Sequence, residues 1–285
     1  MSAPPTTMTI DGLAETKQVI VANSTSQCCR SGICQPSINW VIREADNFNG
    51  GNPHNEPNVA WIHEESEWFQ RCCLPGCRKT KYVQHSSTIP ESVKKEEDFN
   101  WCTVQCATNP KGLTEEDRNK DVVATHEKPL ACGMNCCCFF PHIFTKDANG
   151  KVIGKTQYVC DACIFVPKYD VFDGNGQKKY RIRPDTCIGG MCIQCRCGGK
   201  GGKCFRVPYL VRDPNTFQPF KGNGGQEDAQ MTMLWSGIKN EFCTQRDAFH
   251  VVYPDNATPE EKLSLTGSVI LMNILEVEQQ KNNDG

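Results

Sequence analysis

The sequence predicts a mostly β protein built around one buried carboxy-terminal helix. Three observations carry the prediction: short apolar runs cut by turn residues at even intervals, two hairpin signatures, and a helix start followed by an apolar stretch with no polar face. The 285 residues, 38% hydrophobic and 22% charged, can bury a sizeable core. With 31 lysines and arginines against 33 aspartates and glutamates, the net charge is −2. No global field therefore favours nucleic acid or an anionic membrane, no nucleic-acid partner is expected, and any basic surface is local.

The strand signals come in order as residues 38–44 (INWVIRE), 58–64 (NVAWIHE) and 162–172 (ACIFVPKYDVF). Hairpin turns are expected at Asn149-Gly150 and at Gly174-Asn175-Gly176, where residues tolerant of positive φ separate alternating segments. Both also resemble the start of a calcium loop, which needs a carboxylate at its twelfth position. From Asp147 that position is Tyr158, and from Asp173 it is Pro184, so the hairpin reading is preferred. Residues 1–25 are rich in Thr, Ser and Pro and read as a flexible tail. Residues 85–130 are charged and read as an insertion, and residues 212–230 as a long loop. The remainder, residues 26–280, reads as a single domain, followed by a short tail over 281–285.

Thr258-Pro259-Glu260-Glu261 supplies an N-cap, a Pro at the first helical position and acidic first-turn residues that complement the helix dipole. Beyond it, Leu263, Val269, Ile270, Leu271, Ile274 and Leu275 fall on every face, which is the pattern of a helix buried on all sides. Residues 263–277 reach only about 22 Å at ~1.5 Å per residue, against the ~30 Å of a hydrocarbon layer. The polar Ser264, Thr266, Ser268 and Asn273 also argue for a protein core over a membrane anchor.

Cysteine is abundant, at 20 residues. The amino-terminal stretch lacks a charged start followed by an apolar run, so a reducing compartment and free thiols are expected, and the protein is not expected to be secreted. Cys160-x2-Cys163 and Cys192-x2-Cys195, with Cys197 and Cys204 nearby, have zinc-like spacing. Residues three apart on a strand point to opposite faces, however, so buried thiols are the preferred reading. The nucleophile-elbow, zincin and phosphate-loop motifs are missing, and the six histidines form no recognisable pattern, so no enzyme is expected.

The order of segments carries a resemblance. It runs from WFQRCCLPGCRKTKYVQ (68–84) and GMNCCCFFPHIFTKDANGKVIGKTQYVC (133–160) through PKYDVFDGNGQKKYRIRPDTCIGGMCIQCRCGG (167–199) to LWSGIKNEF (234–242) and AFHVVYPDNATPEEKLSLTGSVILMNILEVE (248–278). Together these resemble the phospholipid scramblase family, over roughly residues 25–280. The resemblance implies a closed antiparallel tubby-like β-barrel wrapped around the hydrophobic C-terminal helix. It also implies energy-independent phospholipid movement between leaflets, or lipid binding, at the cytoplasmic membrane face.

The resemblance further implies site residues. Cys136, Cys137 and Cys138, beside Phe139 and Phe140, match the family's palmitoylated cluster, and two acyl chains anchor stably where one does not. The family's calcium segment maps to Asp247, Asp255, Glu260 and Glu261, here interrupted by Arg246 and His250. Four spread carboxylates beside cations are a poor set for an ion that takes six to eight oxygens. Basic stretches at Arg78-Lys79-Lys81, at Lys178, Lys179, Arg181 and Arg183, and over residues 200–206 are candidates for lipid headgroups. The leading expectation is thus an acylated, lipid-binding protein on a phospholipid membrane. The alternative is a structural brick in a large cytoskeletal or organellar assembly, with the insertion and tails as clamps.

Overall fold

Twelve strands close an antiparallel barrel around the carboxy-terminal helix. The computed structural model describes residues 8–23, 37–46, 48, 50, 52–67, 69–70, 78–90, 113–131, 140–159, 166–187, 192–193, 207–234 and 247–278. Round the barrel the order is β1 (Gln18–Asn23), β16 (Ala248–Val252), β15 (Gln230–Leu234), β12 (Pro208–Arg212), β9 (Lys178–Pro184) and β8 (Lys168–Asp173). It continues through β7 (Val152–Val159), β6 (His142–Asp147), β5 (Val122–Lys128), β4 (Thr80–His85), β3 (Asn58–Glu65) and β2 (Asn39–Glu44), which returns to β1. Closure leaves no unpaired edge in this sheet. Two short pairs stand outside it, β10 (Thr186–Cys187) with β11 (Cys192–Ile193) and β13 (Lys221–Gly222) with β14 (Glu227–Asp228).

Period-two alternation sets the two sides of the wall. In β9, Tyr180 and Ile182 are buried, while Lys179, Arg181 and Arg183 remain partly exposed. Both predicted hairpins form. Asp147 Oδ1 accepts from the backbone N–H groups of Asn149 and Lys151 with Gly150 at φ 81°, and Asp173 Oδ1 does the same for Asn175 and Gln177 with Gly176 at φ 80°. The aspartates therefore brace turns, as the positive-φ glycines require.

The amino-terminal stretch differs from the expected tail. It folds as α1 (Ile10–Glu15) and β1, and β1 closes the barrel between β2 and β16. The physical reason is the short run Val19-Ile20-Val21-Ala22. Val19 and Val21 join the main core, whereas Ile20 and Ala22 pack on the other side with Phe48, Leu234 and Ala248. The segment expected as an insertion also gives residues to the barrel, because His85 ends β4 and the whole of β5 lies within it. Between them sits α2 (Glu115–Asn119), closed by a Thr114/Asp117 capping box. Residues 91–112 lie outside the described residues.

The central helix α3 (Pro259–Met272) starts where the sequence signals it, with Pro259 in the first turn and a Thr258/Glu261 capping box. Every residue from Lys262 to Leu275 is buried, including Leu263, Val269, Ile270, Leu271, Ile274 and Leu275. Its hydroxyls are satisfied locally, as Ser264, Thr266 and Ser268 each donate to the carbonyl four residues back. Thr266 also meets the Tyr253 hydroxyl at 3.0 Å, and Ser268 meets Thr156 at 2.7 Å. After α3 the chain makes a π-helical turn over Asn273–Glu278.

The barrel has two distinct ends. Antiparallel pairing brings the ends of β6, β8 and β12 together with the starts of β7 and β9, so both hairpin tips and the turn after β12 share one end. The first turn of α3 lies there as well, where Tyr180 reaches Glu261.

Candidate functional site

Charge is unevenly spread round the wall. Strands β6, β7, β8, β9 and β12 carry eight lysines and arginines against three aspartates, whereas β1 to β5 carry three cations against four glutamates. The strand register organises the basic side into rows. Phe144, Lys155, Phe172 and Lys178 line up across β6 to β9. Lys155 Nζ lies 5.8 Å from the Phe144 ring centre and 5.9 Å from that of Phe172, and Lys178 Nζ lies 5.9 Å from Phe172. Cations and rings at these distances attract each other, so the row holds its apolar and charged groups side by side.

The next row is His142, Gln157, Asp170, Arg181 and Arg212. Arg181 grips Asp170 with two hydrogen bonds of 2.7 and 2.9 Å, and Lys178 Nζ lies 2.6 Å from the same carboxylate. Burial pushes the Asp170 carboxyl up, but the Arg181 and Lys178 contacts outweigh it and hold the group below its ordinary range. Beyond this row are Lys168 and Arg183. Burial, then the neighbouring Arg183 and Arg181 guanidinium groups, lower the Lys168 ammonium, although Asp170 partly offsets them. Asp170, together with Asp185 at 3.4 Å from Arg212, thus sits among a surplus of cations.

The turn after β12 completes this face. Asp213 Oδ1 accepts from the N–H groups of Asn215 and Thr216 at 2.8 and 2.7 Å, and Arg212 Nη1 donates to the Phe217 carbonyl at 2.9 Å. Phe217 has φ 60°, an uncommon backbone conformation for a bulky residue. The residue is 45% exposed, and its ring centre lies 5.6 Å from the Arg181 guanidinium carbon.

The predicted cluster of Lys178, Lys179, Arg181 and Arg183 therefore lies on one strand of this face, with Lys179 turned toward Asp173 at 3.8 Å. Sequence reasoning missed Phe144, Lys155, Phe172, Arg212 and Phe217. The readable signal was the period-two spacing within FTK and YDVFD, which puts each Phe on the outward side. The Arg78-Lys79-Lys81 stretch is a correction. Arg78 is buried against Glu64 at 3.3 Å, and Lys81, though its side chain is 43% exposed, pairs with Glu65 at 3.0 Å, so the stretch offers two accessible cations, one of them ion-paired. Residues 200–206 lie outside the described residues, as do Cys136, Cys137, Cys138, Cys160, Cys163, Cys195, Cys197 and Cys204. Cys187 and Cys192 are cross-strand backbone neighbours.

The four candidate calcium carboxylates are not brought together. Asp247 and Asp255 flank opposite ends of β16; Asp247 is buried and accepts from Asn273 at 3.3 Å, while Asp255 accepts from the Gly224 N–H at 2.8 Å. Glu261 is used by the helix cap and by Tyr180, and Glu260 lies in the first turn of α3. Such a set does not fit a cation that needs convergent oxygens. Among the described residues, no group of three or more His, Cys, Asp or Glu side chains could hold a metal.

Two histidines do form an arrangement that the sequence did not reveal. His63 Nδ1 and His85 Nε2 are 2.9 Å apart, Trp61 stacks on His85 at 4.3 Å, and Glu65 lies 3.3 Å from His63. Burial lowers His85 to about 4, and the His63 contact leads the causes that lower Glu65 to about 2.

Comparison with known proteins bears on the same strands. The model of the Scramblase family matches residues 62–279, from within β3 to beyond the end of α3. The chain belongs to the scramblase family. Human phospholipid scramblase 1 is 23% identical over 218 residues, which cover 75% of this chain and 61% of that protein. Human phospholipid scramblase 2 is 25% identical over 189 residues, covering 65% and 56%. Human phospholipid scramblase family member 5 is 22% identical over 160 residues, covering 56% and 51%. The chain thus spans between half and two thirds of the length of these curated relatives. No solved structure matches. In this scramblase-family chain, α1, β1 and β2 precede the matched region and still complete the barrel.

Proposed function

We propose that this protein acts on phospholipids at a membrane surface, without a catalytic reaction, by energy-independent movement of lipid between leaflets or by lipid binding at the cytoplasmic face. The observation that supports this reading is the family match over residues 62–279, which spans most of the barrel and all of the central helix. Among the described residues no helix is long and apolar enough to cross a membrane. From the match of Cys136, Cys137 and Cys138 to the family's acylated cluster, we assign attachment to S-acylation there, since two acyl chains hold a protein on a bilayer where one does not. Calcium has no part in the proposal, because the four carboxylates stand apart or are engaged elsewhere. Nothing among the described residues favours the scaffold reading.

The test is fluorescent-lipid exchange in vesicles reconstituted with the full chain, with Val269→Asp, a charge placed in the buried helix, as the control. Protein-dependent exchange that is lost in the control is the expected result. Folded protein that neither exchanges nor retains lipid would overturn the proposal, and lipid retention without exchange would reduce it to binding alone.

A further inference from the structure

We propose that the outer face of β6, β7, β8, β9 and β12 is a docking surface for an anionic phospholipid bilayer, with Phe217 as the residue that enters it. The inference rests on the phospholipid reading above and adds the face, the orientation and the lipid charge. Charge complementarity is the first ground. Eight cations and three aspartates gather on these strands in a chain whose net charge is −2, and although Glu127 pairs with Lys146 at 2.6 Å and Asp185 with Arg212 at 3.4 Å, cations remain in excess on this side of the barrel. An anionic surface attracts such a cluster at close range.

The second ground is the mixture of rings and cations. Phe144 and Phe172 are only partly buried and are flanked by Lys155 and Lys178. Aromatic rings beside charged groups suit the boundary between headgroups and acyl chains, where each meets its own solvent. A soluble anion would use the cations but would give the rings nothing to bury against.

Phe217 is the third ground. It stands at a turn, 45% exposed, with φ 60°. Arg212 holds its carbonyl, and Arg181 lies beside its ring, so two cations of the same face fix the position of an exposed aromatic. Docking would then be side-on, with the barrel wall against the lipid. In sequence, Cys138 precedes the start of β6 by four residues.

The experiment is flotation of the full, unacylated chain with vesicles of phosphatidylcholine alone or mixed with phosphatidylserine. Selective flotation with the anionic vesicles is expected. Phe217→Gly should weaken it roughly tenfold, as expected for withdrawing an aromatic side chain from lipid. Its melting temperature should be unchanged or higher, because glycine accepts that φ without strain. Lys155→Gln and Lys178→Gln should each weaken flotation by about fivefold. Flotation equal on neutral and anionic vesicles would overturn the proposal. So would full binding by Phe217→Gly, or cation-dependent capture by heparin with no vesicle binding. Vesicle binding without lipid exchange would leave this face standing while removing the transport reading.

Discussion

The Tyr180 hydroxyl donates a 2.8 Å hydrogen bond to Glu261 Oε2, and this single contact ties the barrel wall to the first turn of α3. Glu261 accepts the Thr258 N–H at 3.0 Å as well, so one carboxylate both caps the helix and positions it in the barrel. Tyr180→Phe should cost about 1 kcal/mol, since the carboxylate keeps its cap partner. Glu261→Ala should cost about 2 kcal/mol, because it removes the cap and strands the phenol together. Urea midpoints would check this, and equal losses for the two variants would contradict the double role.

Lys262 is the corresponding tie to the amino terminus. Its buried ammonium donates to the carbonyls of Leu13, Ala14 and Thr16 at 3.0, 2.7 and 2.9 Å. Three backbone acceptors at the end of α1 thus depend on one side chain. Lys262→Met should remove about 2 kcal/mol of stability and speed hydrogen exchange of residues 8–16 more than that of β8 or β9. Uniform acceleration across the barrel would show that the contact is not a local latch.

Acid should weaken the fold in a defined window. Complete burial lowers His126 from its ordinary 6.5 to about 3, and burial likewise lowers His85 to about 4. Between 6.5 and those values the unfolded chain takes up protons that the native chain refuses, so stability falls as pH falls through the window. The loss is about 2 kcal/mol for each histidine at pH 5 relative to neutrality. Glu65, lowered to about 2, acts in the same direction at lower pH, since its contribution is lost as the native carboxylate is protonated. His126→Gln should flatten the pH dependence of the urea midpoint, and an unchanged slope would count against this account.

The helix and the hairpins were legible because local chemistry decides them. Thr258 to Glu261 spell a cap, and Asp173-Gly174-Asn175-Gly176 spell a turn, whatever surrounds them. The strand β1 was not legible, because a four-residue apolar run inside a Thr-, Ser- and Pro-rich stretch has meaning only once β2 and β16 flank it. The basic face was half legible. Lys178, Lys179, Arg181 and Arg183 are adjacent in sequence, but Phe144, Lys155, Arg212 and Phe217 join them only through cross-strand register, which pairs residues far apart in the chain. His63 and His85, on neighbouring strands, were hidden for the same reason.

Gly267 explains how closely the helix meets the wall. A glycine inside a helix costs up to about 1 kcal/mol relative to alanine, so its presence needs a packing reason. A Cβ at this position would stand 2.8 Å from both His126 Nδ1 and Thr145 Oγ1. These two groups are themselves hydrogen-bonded at 3.1 Å, which limits how far either can retreat. Gly267→Ala should therefore destabilise by about 1–3 kcal/mol despite its better helix propensity. A gain in stability would mean that the wall yields there.

Acylation and the basic face should reinforce each other if both address the same bilayer. Cys136, Cys137 and Cys138 precede β6 in sequence by four to six residues, and β6 contributes Phe144 to the outer rows. A single acyl chain gives marginal, reversible attachment, and a polybasic surface supplies the second signal. Replacing all three cysteines by Ser should shift the protein toward the soluble fraction of cells. Lys155→Gln with Lys178→Gln should do so weakly alone and strongly in that background. Fractionation with an acyl-exchange assay would check both variants. An equal basic-face effect with and without the cysteines would mean that the two features hold the protein to different partners, and full membrane retention of the triple Ser variant would remove acylation as the anchor.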